Sequence, residues 1–215
     1  MTPGVLFDLD LTLVEYDPAI PGIFRRGCER VGLEHDDALF EQFTDRYGEH
    51  FRALDGDPFA AAAADVVAQR DLGVEPDRWA EALVDVEREA AWVHDEVRAT
   101  VERLAREHPV GVVTQGHGPV QRSKLRAVDL ADHVDAVVTP TDVGAFKPDP
   151  ALFEAGADRL DADRFVVVGD SVEGDVVAGN DAGFRTVLYR GTDERADACL
   201  AGPAEFGRLP GLVDD

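Results

Sequence analysis

The run Val5-Leu6-Phe7-Asp8-Leu9-Asp10-Leu11-Thr12 opens on three consecutive apolar residues and closes on two carboxylates and a hydroxyl. Its apolar part is too short for an ordinary helix and does not alternate with polar residues. It reads as a strand buried on both faces, with chemistry delivered at its carboxyl end. The same form recurs in Val110-Gly111-Val112-Val113 and Phe165-Val166-Val167-Val168, and less purely over 134–138 and 186–189. Helical patterns separate these runs. The segment 99–107 offers Val101 and Leu104; 119–130 offers Val120, Leu125 and Val128; 150–160 offers Leu152, Phe153 and Leu160; a further helix is expected over 174–182. Strand alternating with helix predicts a doubly wound α/β fold on a parallel sheet.

The stretch 15–94 interrupts that alternation. Ile20, Ile23, Phe24, Cys28 and Val31 share one helical face, as do Phe40, Phe43, Tyr47 and Phe51, and again Trp79, Leu83, Val86, Ala90 and Val93. The alanines at 60–64 favour another helix. The expected organisation is therefore a sheet domain of residues 1–14 and 95–215 carrying an all-helical insert over 15–94. The apolar spacing 79, 83, 86, 90, 93, 97, 101, 104 runs through the second boundary without a stop signal. Cys28 and the aromatic stripe read as core. Cys28 and Cys199 form no C-x-x-C and imply neither a disulfide nor a zinc site.

Charge excludes some partners. Acids number 44 against 21 bases, a net charge of −23, so a nucleic-acid partner, which needs basic patches, is not expected. No apolar stretch reaches the ~18 residues of a spanning helix. The start of the chain carries Asp8 and Asp10 within its apolar run and lacks the form of a signal peptide, so a cytoplasmic address is expected. The bases are arginines apart from Lys124 and Lys147. An acidic surface almost without lysine is expected of a protein adapted to a salt-rich cytoplasm, where self-repulsion is screened.

Chemistry gathers at the ends of the apolar runs. Asp8 and Asp10 alternate, which turns both carboxylates to one side, a costly arrangement unless a cation or a shared proton compensates. Thr114-Gln115-Gly116 follows the run at 110, and a capping role for Thr114 is the plainer reading taken alone. Gly169-Asp170-Ser171 follows the run at 165, with Asp175 close behind. Lys147 stands among prolines just ahead of a helix. Lys124, in mid-helix, reads as a solvated or packing side chain, and the lone histidines His94 and His117 read as structural.

The order hydrophobic-D-x-D-x-T, hydrophobic-T, K-P, hydrophobic-G-D-S-x-x-x-D resembles the haloacid dehalogenase-like hydrolase superfamily over nearly the whole chain. The resemblance implies a Rossmann-like core with a helical cap domain between its first two motifs. It implies that Asp8 is the nucleophile, Asp10 the general acid and base, and Thr114 and Lys147 the phosphoryl binders. It further implies Mg2+ held by Asp8, Asp170 and the Asp10 main-chain carbonyl, with Asp175 and Thr12 in support. The reaction it implies is hydrolysis of a small phosphorylated substrate through an aspartyl-phosphate. A phosphomutase would keep the same groups. Carbon–halogen hydrolysis would have no use for Asp10 or Asp170. The usual T-N-G reads Thr114-Gln115-Gly116 here, and the usual D-x-D-G-T carries Leu11 in place of glycine.

Overall fold

The computed structural model describes residues 2–214. Tyr16–Ala91 forms one compact unit, and the described residues on either side of it form another. In the second unit lie strands β1 (Gly4–Phe7), β4 (Val110–Val113), β5 (Ala136–Val138), β6 (Phe165–Gly169), β7 (Arg185–Tyr189) and β8 (Ala198–Leu200). The short strands β2 (Glu15–Tyr16) and β3 (Ala91–Trp92) pair with each other at the boundary of the two units. The helical unit holds α1 (Ile20–Val31), α2 (Asp37–Ala53), α3 (Pro58–Arg70) and α4 (Pro76–Ala90). The remaining helices are α5 (Asp95–Leu104), α6 (Gly118–Ala127), α7 (Pro140–Val143), α8 (Ala151–Ala157), α9 (Ala178–Asp181) and α10 (Leu209–Asp214), with a π-helical turn over Val172–Val177.

The main sheet is parallel in the order β5-β4-β1-β6-β7-β8. Chain order runs outward in opposite directions on the two sides of β1, the arrangement that opens a crevice at the carboxyl ends of the central strands. Register brings those ends level: Phe7 lies opposite both Val112 and Val168. The ladder continues one residue further, because the Asp8 amide donates to the Val168 carbonyl at 2.9 Å and the Thr114 amide to that of Val138 at 3.0 Å. The acids therefore leave the sheet at one fixed edge. Behind that edge, Leu6, Val113, Val138, Leu152, Phe153 and Val167 pack as one buried cluster. The strand expected over 134–138 shortens to β5, since Asp135 turns to accept from the Val110 amide. Edge strand β8 had no sequence signal, being three residues long and only partly buried.

In the helical unit, prolines stand in the first turns of α1, α3 and α4, and Asp36 and Asp57 cap α2 and α3 through their side chains. Trp79 is fully buried, with the rings of Phe24 and Phe43 at 5.9 and 5.1 Å. Cys28 lies in the same core, and burial pushes its thiol up to about 11, which leaves it inert. Trp79→Ala is expected to cost about 3–5 kcal/mol in a denaturant titration.

The apolar spacing that ran from 79 to 104 is broken in the structure. Ala91 is extended and β3 pairs with β2; the helix restarts at Asp95, whose carboxylate and that of Glu96 favour the positive end of its dipole. Glu15 and Trp92 to His94, placed with the insert by the sequence pattern, fall in the sheet unit. There Glu15 pairs with Arg190, which also meets the His94 ring at 3.4 Å. Among the described residues no helix is long and apolar enough to cross a membrane.

The charge of −23 carries a test. At about molar KCl the Debye length is about 3 Å, and surface repulsion is largely screened. The calorimetric melting temperature is expected to rise from dilute buffer to that salt, and an unchanged one would remove the case for salt adaptation.

Candidate active site

The chain after β1 turns sharply. The Leu9 carbonyl accepts from the amides of Leu13 at 3.0 Å and Val14 at 2.9 Å, and Leu11 sits at φ 67°. A glycine would adopt that left-handed conformation freely, whereas leucine holds it at a cost of about 1–2 kcal/mol. The turn presents Asp8 and Asp10 to one cleft. Thr114, Lys147, Asp170 and Asp175 line the same cleft, so six of the residues singled out in the sequence converge on it. Thr12 is buried and lies outside that lining.

Lys147 is the hub. Its Nζ donates to Asp8 Oδ1 at 2.7 Å and to Asp175 Oδ1 at 2.6 Å, and it stands 5.2 Å from the centre of the Phe153 ring. All three charged groups are buried. Desolvation is the largest influence on Asp8 and pushes its carboxyl up to about 7, against the pull of Lys147. The two carboxylates raise Lys147 above the ordinary lysine value despite its burial.

Asp175 comes from the π-helical turn, an irregularity that recurs at functional sites. Its second oxygen accepts from the Ser171 amide at 3.0 Å. Gly169 makes this possible, because a Cβ there would strike the Asp175 carboxylate. Asp170 is pushed up first by desolvation and then by the nearby charge of Asp175, against the pull of a backbone hydrogen bond and of Lys147.

One carboxylate oxygen from each of Asp8, Asp170 and Asp175 lies within 4.8 Å of the others. Three hard oxygens at that spacing, in a site where burial already strains the charged forms, fit a magnesium-sized cation. Both Asp175 oxygens are engaged by Lys147 and Ser171, which leaves Asp8 and Asp170 as the freer donors.

The second half of the site was not foreseen. Lys124, read from the sequence as solvated or packing, is 1% exposed and its Nζ lies 2.6 Å from Asp10 Oδ1. Gln121, one turn earlier on α6, donates to Asp10 Oδ2 at 2.6 Å and lies 2.6 Å from Thr114 Oγ1. Thr114 is thus no helix cap; His117 occupies the cap position of α6. The missed signal was the lysine count. The chain retains two lysines, and the reasoning applied to Lys147 held equally for Lys124.

A family profile for haloacid dehalogenase-like hydrolases matches residues 2–183. The chain belongs to that family. Among curated relatives, a ribulose-1,5-bisphosphate 5-phosphatase of Halopiger xanaduensis is 29% identical over 90% of this chain and 87% of its own length. Among solved structures, a 2-haloacid dehalogenase from Pseudomonas syringae pv. Tomato DC3000 is 27% identical, with a TM-score of 0.72 over 100% of this chain and 99% of that one. A HAD phosphatase from Thermococcus onnurineus is 25% identical, with a TM-score of 0.67 over 98% of each. The haloacid dehalogenase-like fold accounts for the parallel sheet and for the edge at which the acids gather.

Proposed function

We propose that this haloacid dehalogenase-like hydrolase is a magnesium-dependent phosphatase of a small phosphorylated metabolite. The observation that carries the reading is the joint presence of Asp10, two residues past the buried Asp8, and of Asp170 beside Asp8. A dehalogenase attacking carbon needs neither. The phosphatase named among the relatives supports the same choice.

Asp8 attacks phosphorus, forming an aspartyl-phosphate as the bond to the leaving oxygen breaks; Asp10 gives that oxygen its proton. Water then attacks the phosphorus and passes a proton to Asp10, and the bond to Asp8 breaks to release inorganic phosphate. Lys147 neutralises Asp8 and the phosphoryl oxygens, and Thr114 donates its hydroxyl to them. Asp8, Asp170 and the Asp10 main-chain carbonyl would hold magnesium, which supplies positive charge to the phosphoryl group and relieves repulsion among the acids. Tyr16–Ala91 is the helical cap domain of this reading. The acidic, arginine-based surface supports a salt-rich cytoplasm as its setting.

Hydrolysis of p-nitrophenyl phosphate should appear with magnesium and vanish with a chelator, measured at high salt. Equal turnover in both would defeat the metal assignment. Halide release from 2-haloacids without magnesium would favour dehalogenation instead.

A further inference from the structure

Asp10 is 35% exposed, yet both of its carboxylate oxygens are held from behind by α6. Gln121 and Lys124 stand three residues apart, on one helical face, and each is 1% exposed. Gly116 makes room for Gln121, since a Cβ there would collide with its amide.

Burying an ammonium costs several kcal/mol, and apolar side chains of similar volume often stabilise a fold equally well or better. Packing alone is therefore a poor reason for Lys124, in a chain whose other lysine also sits on a site carboxylate. Two donors on two oxygens fix the rotation of a carboxylate about its last torsion. The Gln121 amide additionally ties Asp10 to Thr114.

We propose that Lys124 and Gln121 are positioning residues that hold the Asp10 carboxylate at the leaving oxygen and keep it in register with the phosphoryl-binding hydroxyl of Thr114. This rests on the acid–base reading of Asp10. Proton delivery matters for an alkoxide leaving group and little for p-nitrophenolate. The test is therefore kcat/KM, which reports the first phosphoryl transfer, on an alkyl phosphate and on p-nitrophenyl phosphate.

Lys124→Met is expected to lower kcat/KM about 10²-fold on the alkyl phosphate, the scale of general acid catalysis. On p-nitrophenyl phosphate the loss should stay under about threefold. Gln121→Met, which also releases Thr114, should still lose more on the alkyl phosphate than on p-nitrophenyl phosphate, and it decides the matter if Lys124→Met fails to fold. In an Asp10→Asn background either substitution should add little, because the groups act as a unit. Equal losses on both substrates, or losses that multiply with Asp10→Asn, would assign the pair a merely structural role. If Asp10→Asn itself shows no split, the acid–base reading fails. If Asp10→Asn shows it and Lys124→Met and Gln121→Met do not, only the positioning role fails.

Discussion

Asp8→Asn is expected to lower turnover of p-nitrophenyl phosphate by on the order of 10⁴-fold or more, the scale on which enzymes lose rate when a nucleophile is removed. An amide oxygen is a poor nucleophile, so no aspartyl-phosphate forms at position 8. Shape is retained: the asparagine oxygen can still accept from Lys147, which holds Asp8 Oδ1 at 2.7 Å. The substitution also removes an anion whose charged form burial disfavours, as the rise of its carboxyl to about 7 shows. Melting in chelator near neutral pH should therefore match or exceed the unsubstituted protein. A variant that melts normally and turns over at a near-normal rate would refute the nucleophile assignment.

Lys147→Met should damage stability as well as rate. It leaves Asp8 and Asp175 buried without the cation that each now contacts within 2.7 Å. Removing one partner of a buried ion pair costs about 3–5 kcal/mol, because the opposite charge remains uncompensated. A denaturant titration in chelator should register that loss. Methionine preserves most of the volume packed beside Phe153, so an unchanged midpoint would mean that Lys147 is not what balances the two acids.

Legibility in the sequence followed locality. Asp8, Thr114 and Asp170 stand directly after runs of buried residues, and a parallel sheet necessarily gathers such positions at one edge. Lys147 was visible through the scarcity of lysine. Lys124 was misread and Gln121 passed over, because a helix in sequence shows which residues share a face but not which neighbour that face meets. The interruption at Ala91 to His94 was hidden in a similar way. The apolar spacing continues through it, and pairing of β3 with β2 overrides the local preference for helix.

The order of short apolar runs and helical stretches determined the α/β class, the helical insert and the edge where the carboxylates emerge, since burial and backbone pairing act over a few residues at a time. The tertiary structure alone decided which charges neutralise which: Lys147 reaches Asp8 across 139 residues of chain, and Lys124 reaches Asp10 across 114. Coulombic and hydrogen-bonding energies depend on distance through space, and no spacing along the chain encodes it.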